Sequence, residues 1–399
     1  MGCMASKATR IVLSGYYGFN NSGDEAVLLS ILTALERAGE EAGMAIEPVV
    51  LSGDPETTTR LYGVEAVHRM KPGALLGAIR SSDGLISGGG SLLQDATSSK
   101  TIPYYLGVLK LAQWFRKPTF IYSQGVGPVN SQSFYPYIRH VFNRAAYVSV
   151  RDRESAELLM RMGVGQDAIH VVPDPVMGLR LPSSKPGQPA LDYGTGFDAA
   201  GRPYVGVSLR FWNQDRSDMD AIADMLLQLS RMRKVHLRFL PFHGASDEEA
   251  SRYVMKKLED EVSEVDGLCG GPSPAASEAG TVMSLCAPLE HPQSMLQEVS
   301  QCRVLVGMRL HSLIYAASQE VPLAGISYDP KIDQFLHRLQ EEAIGTTAKL
   351  DAARAASHMC CLLDDVDGWR EKHQKAITLL KQEAEQPAQQ IVQWLRHKA

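Results

Sequence analysis

The sequence predicts an α/β protein built from two Rossmann-like, doubly wound halves. Short apolar, β-branched runs such as residues 304–306 alternate with segments of helical spacing along most of the 399 residues. This is the pattern of a parallel sheet that is covered by helices on both faces. A stretch rich in proline and glycine, residues 181–202, interrupts the alternation near the middle of the chain and predicts a linker between two domains.

The domain boundaries follow from these breaks. We expect an N-terminal Rossmann-like domain over residues 1–180, the linker over 181–202, a C-terminal Rossmann-like domain over 203–366 and a helical tail over 367–399. The tail is expected to pack back on the N-terminal domain. Pro387 is expected to break or begin a helix within it.

Composition and charge bear on the class of protein and on its cellular compartment. Hydrophobic residues make up 44% of the chain and charged residues 21%, and the net charge is −5. This argues against a nucleic-acid binder, whose binding domain is usually basic. The six cysteines lack metal-binding spacing, which fits a reducing compartment. Because no apolar run reaches transmembrane length and no secretory leader is apparent, we expect a cytoplasmic protein.

The first strand, residues 11–15, leads into a loop rich in glycine and asparagine at residues 16–25. The loop has neither the glycine spacing of a dinucleotide site nor a P-loop lysine. One interpretation is a capped turn between a strand and a helix. The other is a polar cradle for sugar hydroxyls, formed by Asn20, Asn21 and Asp24.

Later strands in the first half also end in glycines or charges. The strand that begins at Gly84 exits through three glycines at residues 88–90, with Asp95 beyond them. We expect something to approach the backbone closely at Gly89 and Gly90, although a tight turn against the sheet would explain them equally well. The strand over residues 147–150 ends at Arg151, which either binds an anion or pairs with neighbouring carboxylates.

The second half repeats the alternation of strand and helix. Its strands end near Arg210, His243 and Lys331, and residues 292–300 should form a helix that begins with a proline. Residues 262–280 are rich in Gly, Ser and Pro and read as a loop.

The strand predicted over residues 304–306 is followed by a helix, and Arg309, His311 and Ser312 lie at the start of that helix. Ligands of open α/β sheets bind at the carboxyl ends of strands, and a helix N-terminus favours an anion. The alternative is that Arg309 only caps a neighbouring carboxylate and that His311 is an ordinary residue at a helix start.

These cations predict a small anionic substrate that is held by side chains. Arginine offers a planar fork to a carboxylate or phosphate, and lysine offers a point charge. No Asp-rich cluster or His/Cys pattern points to a metal, so neither a metal nor a cofactor is expected.

In order along the chain, six motifs resemble those of the polysaccharide pyruvyl transferase family, and most closely the CsaB type. They are GYYGFNNSGDE at 15–25, GGGSLLQD at 88–95, SQGVGP at 123–128, RD at 151–152, MRLHS at 308–312 and YDPK at 328–331. The resemblance runs from about residue 10 to residue 335, and the ordered set is specific although each motif alone is weak.

The resemblance implies a GT-B-like fold whose two halves face an interdomain cleft. It implies phosphoenolpyruvate as donor and, as acceptor, a sugar of a lipid-linked cell-wall polymer precursor at the inner face of the membrane. The product would be a 4,6-ketal, typically on N-acetylmannosamine, in a polymer that anchors S-layer proteins. Nucleic acid is not expected as a partner, and contact with the membrane is expected to be peripheral at most.

Site roles follow from the resemblance together with the positions at strand ends. The donor would be bound by Arg151, Arg210, Arg309, His311, Ser312 and Lys331. The catalytic residues would be Arg151, His311 and Lys331. The acceptor would be bound by Asn20, Asn21, Asp24, Gly89, Gly90 and Asp95.

The chemistry requires a proton on the methylene carbon of the enol phosphate, attack by a hydroxyl and departure of phosphate. We expect His311 to be either the general acid or the group that steers the departure of phosphate. Asp24, Asp95 or Asp329 could accept the hydroxyl proton. Two other functions remain open at this point. A GT-B glycosyltransferase would bind a nucleotide sugar, and a non-catalytic protein would bind an anionic glycan.

Overall fold

The computed structural model describes residues 8–19, 21–95, 98, 100–181, 196–268, 281–287, 289 and 291–398. The chain divides into two compact units. The first comprises Met1–Leu179 with Leu380–Ala399, and the second comprises Arg180–Leu379. Each unit contains a parallel sheet flanked by helices, which confirms the two α/β halves expected from the sequence.

The sheet of the first unit is parallel throughout and runs in the order β3-β2-β1-β4-β5-β6-β7 within the described residues. Its strands are β1 (Thr9–Tyr17), β2 (Ile46–Ser52), β3 (Glu65–His68), β4 (Gly84–Gly88), β5 (Thr119–Gln124), β6 (Tyr147–Val150) and β7 (Ile169–Val171). The order reverses between β1 and β4, so a crevice for ligands is expected at the carboxyl ends of these two strands.

Helices connect these strands in sequence. They are α1 (Ser22–Ala42), α2 (Pro55–Tyr62), α3 (Pro72–Ser81), α4 (Thr101–Trp114), α5 (Tyr135–Phe142) and α6 (Arg153–Arg161). The inner faces of α3 to α6 bury one apolar cluster against the sheet, with Ile79, Leu109, Ile138 and Leu159 in its centre. This burial explains why the strands read as continuous apolar runs.

The second unit has the same topology, with β10-β9-β8-β11-β12-β13 as the strand order in its described part. The strands are β8 (Tyr204–Ser208), β9 (His236–Phe239), β10 (Val282–Leu285), β11 (Val304–Gly307), β12 (Leu323–Ser327) and β13 (Gly345–Thr346). The order here reverses between β8 and β11. The residues that follow β8, β11 and β12 therefore emerge side by side at one edge of the sheet.

The helices of this unit cover both faces of its sheet. They are α7 (Ser217–Met232), α8 (Gly244–Leu268), α9 (Pro292–Ser300), α10 (Leu310–Ser318), α11 (Pro330–Arg338) and α12 (Ala352–Asp364). The helix predicted over 292–300 is confirmed. The loop predicted over 262–280 is wrong in its first part, because α8 continues to Leu268 and the sequence holds no glycine or proline before Gly267 to stop it.

The last helix, α13 (Val366–Lys398), corrects the expectation at Pro387. The helix passes through this proline without a break. The residues that follow are buried against the first unit, and the ring of Trp394 packs edge-on at 5.3 Å from that of Phe120. This packing offsets the missing backbone hydrogen bond of proline. Among the helices described, none combines the length and apolarity that crossing a membrane requires.

The exit from β4 generates a testable prediction. Gly89 has φ +65°, and a Cβ at this position would overlap Cγ1 of Val27 in α1. We expect Gly89→Ala to lower the free energy of unfolding by about 2 kcal/mol or more, because both the backbone and the packing resist a side chain. Chemical denaturation measures this change.

The matched control is Gly107→Ala in α4, where a Cβ would meet no atom within 4 Å. This variant should be as stable as the parent or more stable by about 0.5–1 kcal/mol. Equal losses in both variants would contradict the assignment of Gly89 to a close approach.

Candidate functional site

Arg210 lies at the strand edge of the second unit, two residues after β8. Its Nη1 donates to the hydroxyl of Tyr328 at 2.9 Å. Its guanidinium lies 5.2 Å from the ring centre of Trp212 and 4.9 Å from that of Tyr328. No carboxylate of the described residues is within ion-pair distance of Arg210, and its Nε is buried without a hydrogen-bond partner. A partly buried cation without a counter-charge attracts an anionic ligand.

Arg309, two residues after β11, has a different environment. Its Nε donates to Oδ2 of Asp247 at 2.9 Å, and its Nη2 bonds the other oxygen of the same carboxylate. Asp247 is fully buried in the first turn of α8 and also accepts the backbone N–H of His243 at 2.9 Å. This geometry agrees with the interpretation that Arg309 caps a neighbouring carboxylate. Its assignment to the donor remains a prediction.

His243 follows β9 and adds an imidazole to this edge. Burial lowers its pKa, and the nearby charges of Arg309 and Arg210 lower it further while Asp247 opposes them. Its Nδ1 is buried and has no hydrogen-bond partner in the described part of the chain. Sequence reasoning assigned no role to His243, although its position shortly after a strand end was a usable signal.

Two more residues predicted to serve the donor, His311 and Lys331, lie at helix starts on the same edge. His311 is the second residue of α10, and Lys331 is the second residue of α11. The Nζ of Lys331 lies 3.9 Å from Oδ2 of Asp329, which caps α11 by accepting the backbone N–H of Lys331 at 3.0 Å. Both helix N-termini reinforce the positive potential at this edge.

Ser312 is fully buried, and its hydroxyl donates to the carbonyl of Arg309 at 2.7 Å. It closes the first turn of α10 against the strand, where a Cβ on Gly307 would overlap its hydroxyl. The structure therefore places Ser312 within the turn, whereas His311 and Lys331 are half-buried.

In the first unit, Arg151 lies after β6 and contrasts with Arg210. Its Nη2 donates to the hydroxyl of Ser91 at 2.8 Å, and its guanidinium lies 3.4 Å from Oδ2 of Asp174 and 3.6 Å from Oδ2 of Asp152. Two carboxylates thus balance its charge. A Cβ on Gly125 would lie 3.0 Å from its Nε, so a glycine allows the guanidinium to lie flat against the chain.

Four of the residues predicted to bind the acceptor come together near the β1–β4 crevice. Asn21 caps α1 and donates from Nδ2 to Oδ2 of Asp24 at 2.6 Å. A Cβ on Gly90 would lie 2.8 Å from Oδ1 of Asp24, and Gly90 directly follows Gly89. The fifth, Asn20, lies outside the described residues.

Asp95 occupies a separate turn. Its carboxylate accepts from the backbone and side chain of Asn130 at 2.8 and 3.0 Å and from the backbone of Ser131 at 2.8 Å. These hydrogen bonds, the Asn130 backbone foremost, lower the pKa of Asp95. A carboxylate that is engaged in this way is a weak base.

A cation that sequence reasoning missed lies under the same crevice. Arg69 is 8% exposed and donates to the carbonyl of Gly15 at 3.0 Å. Its guanidinium lies 4.3 Å from the ring centre of Tyr104 and 5.4 Å from that of Phe19. No acidic group of the described chain is within ion-pair distance. Its packing on aromatic rings comes from tertiary structure, which no local pattern of the sequence reveals.

The part of the chain that the structure describes contains no group of three or more His, Cys, Asp or Glu side chains arranged to hold a metal ion.

The Arg309–Asp247 pair generates a prediction about stability. In Asp247→Asn the guanidinium of Arg309 would stay partly buried without its counter-charge, so we expect a loss of about 3 kcal/mol in the free energy of unfolding. The control is Asp364→Asn, which breaks the exposed pair of Asp364 with Arg233 and should cost less than about 1 kcal/mol. Chemical denaturation that finds the two variants equal would exclude a structural role for the buried pair.

His243 generates a prediction about pH. Its pKa is lowered in the folded state, so the unfolded chain binds the proton first as the pH falls below about 6.5. The contribution of His243 is therefore complete above this pH and is lost in acid. We expect His243→Gln to lose less stability than the parent between about pH 7 and pH 5.5.

Thermal unfolding across this range measures the effect, with the exposed His397→Gln as control. A parent-like pH profile in His243→Gln would contradict the lowered pKa.

Comparison with known proteins supplies the family. The model of the polysaccharide pyruvyl transferase family matches residues 21–330. No match was found among curated proteins.

Solved structures share the fold over nearly the whole chain. A putative UDP-N-acetylglucosamine 2-epimerase from Listeria monocytogenes is 12% identical with a TM-score of 0.62, over 96% of this chain and 94% of that chain. The UDP-GlcNAc 2-epimerase from Neisseria meningitidis bound to UDP-GlcNAc is 10% identical with a TM-score of 0.62, over 98% and 100%. Anabaena HepE in complex with UDP and glucose is 13% identical with a TM-score of 0.53, over 98% and 99%.

At these identities the likeness shows the fold alone, and it confirms the GT-B-like class predicted from the sequence. The family match covers most of the chain, from the first helix to the turn after β12. The chain belongs to the polysaccharide pyruvyl transferase family.

Proposed function

We propose that this chain is a ketal pyruvyl transferase that moves a pyruvyl group from phosphoenolpyruvate to two hydroxyls of one sugar and releases phosphate. The observation that carries the proposal is Arg210. In a chain of this family, it is a cation at the strand edge without a carboxylate partner among the described residues. Phosphoenolpyruvate carries a carboxylate and a phosphate, which are the groups that a guanidinium binds best.

The donor is assigned to the edge of the second unit. Arg210 binds one anionic group, and Lys331 binds the other from the first turn of α11. The N-termini of α10 and α11 add their dipoles. As phosphate leaves, these groups stabilise its growing charge.

The proposed reaction needs no reactant other than phosphoenolpyruvate and the sugar. His311 delivers a proton to the methylene carbon of the donor, and this forms the methyl group and leaves positive charge on the adjacent carbon. A sugar hydroxyl attacks that carbon and loses its proton to a base. The C–O bond to phosphate then breaks. A second hydroxyl of the same sugar closes the ketal, and its proton leaves with phosphate.

The acceptor is assigned to the first unit, near Asn21, Asp24, Gly89 and Gly90. Among the three candidate bases we favour Asp24, because it lies with Asn21 and Gly90 at the crevice assigned to the acceptor. Asp95 occupies a separate turn, and Asp329 caps α11 in the second unit. Asn20 remains a proposed contact of the acceptor, and Arg151 remains a proposed contact of the donor.

The six motifs that resemble the CsaB type support a specific acceptor. We propose N-acetylmannosamine of a lipid-linked cell-wall polymer precursor, modified as a 4,6-ketal on the cytoplasmic face of the membrane. The polymer would then anchor S-layer proteins. No cofactor or metal is required by this scheme.

The test is release of phosphate from phosphoenolpyruvate with and without a synthetic lipid-linked N-acetylmannosaminyl disaccharide. We expect release only when the acceptor is present, together with a ketal in the product by NMR. Absence of release, combined with tight binding of a UDP-sugar, would overturn the proposal in favour of a nucleotide-sugar glycosyltransferase. Some structures of this fold hold UDP or UDP-GlcNAc.

A variant series tests the role of Arg210. Arg210→Ala should weaken phosphoenolpyruvate about 10- to 100-fold, because the variant loses a charged hydrogen-bond partner of the donor. Titration calorimetry measures this directly.

The matched control is Arg216→Ala. Arg216 also packs on an aromatic ring, with 4.2 Å to the centre of Phe211, but has a carboxylate partner in Glu249 at 3.5 Å. The control should bind phosphoenolpyruvate as the parent does. Equal weakening in both variants would show that Arg210 acts through packing rather than through its charge.

A further inference from the structure

The outer faces of α3, α4 and α5 form a surface with an unusual charge. Between residues 71 and 150 the sequence carries eight lysines and arginines and two aspartates, a net charge of +6 in a chain whose net charge is −5. The three helices themselves contain no acidic residue. The positive charge of this segment is therefore not neutralised locally.

These helices are neighbours in the first unit. α4 packs against both α3 and α5. The guanidinium of Arg80 in α3 lies 5.4 Å from the ring centre of Phe115, directly after α4, and Nζ of Lys110 in α4 lies 2.6 Å from Nε2 of His140 in α5. Their cations thus lie on one continuous surface. The exposed basic residues of this surface are Lys71, Arg80, Lys100, Arg116, Arg139 and Arg144.

Large apolar side chains are exposed among these cations. Trp114 is 71% exposed, Tyr137 66% and Met70 64%. Gly77 and Gly107 also face outward from α3 and α4, and a Cβ on either would meet no atom within 4 Å. Each of these side chains lies within two residues of an exposed cation, which is Lys71, Arg116 or Arg139, so apolar and basic side chains share this surface.

We propose that the outer face of α3, α4 and α5 docks on an anionic lipid bilayer. Tryptophan and tyrosine are the side chains that favour the headgroup region, because each has an apolar ring and a polar group. Flanking lysines and arginines add attraction to anionic lipids. A nucleic acid would satisfy the cations but offers no apolar layer for Trp114 and Met70. The bilayer matches both features.

Charge reversal of the cations is the first arm of the test. The full chain is sedimented with vesicles of phosphatidylcholine that contain about one-third phosphatidylglycerol, and with vesicles of phosphatidylcholine alone. We expect binding to the anionic vesicles that falls as salt is raised. Arg80→Glu/Arg116→Glu/Arg144→Glu should weaken it about tenfold or more.

The matched control reverses as many exposed charges on the second unit, in Arg231→Glu/Lys234→Glu/Lys256→Glu, and should bind as the parent does. Thermal unfolding confirms that each variant is folded.

Removal of the apolar side chains is the second arm. Trp114→Ala/Tyr137→Ala should weaken vesicle binding severalfold, and Met232→Ala/Leu379→Ala, which removes exposed apolar side chains of the second unit, should not. Failure to bind anionic vesicles would overturn the proposal, as would equal losses in the test and control variants. Tighter binding to a single-stranded oligonucleotide than to vesicles would show a nucleic-acid surface instead. None of these readouts depends on pyruvyl transfer.

Discussion

The buried ion pair of Arg309 with Asp247 holds the site edge of the second unit together. It joins two turns that are far apart in sequence, the exit of β11 and the start of α8. Asp247 also accepts the backbone N–H of His243, so one carboxylate fixes both an arginine and the segment that follows β9. Asp247 balances the charge of Arg309. Of the two arginines, Arg210 is therefore the one whose charge no carboxylate of the described residues balances.

The arginines at the strand ends differ in whether a carboxylate of the described residues balances their charge. Arg151 has Asp152 and Asp174 beside it, and Arg309 has Asp247. Arg210 has two aromatic rings and a tyrosine hydroxyl. Rings stabilise a guanidinium without cancelling its charge. The partners that the fold gives a cation therefore indicate better than its position at a strand end whether it can bind an anionic ligand.

Much of this architecture could be predicted from sequence, because it depends on local patterns. The apolar runs correctly predicted where the strands lie, and Pro292 correctly predicted where α9 begins. The partners of the cations could not be predicted. Asp247 lies 62 residues from Arg309, and Arg69 packs on Tyr104 across the fold. At Pro387 the local rule failed since burial of the following residues outweighed the helix-breaking tendency of proline.

Arg210 and the basic surface of α3, α4 and α5 differ in how deeply their charges are buried, and this difference suits them to different ligands. Arg210 is half-buried and is held by Trp212 and Tyr328, so salt screens it weakly and its geometry favours one small anion. Arg80, Arg116 and Arg144 are exposed on helices or turns, where charge is screened within about 8 Å at physiological salt. Such charges distinguish no particular ligand, but together they respond to a surface that carries many charges. Under the two proposals, the half-buried Arg210 binds a small anionic substrate, whereas the exposed cations are attracted to a broad anionic layer.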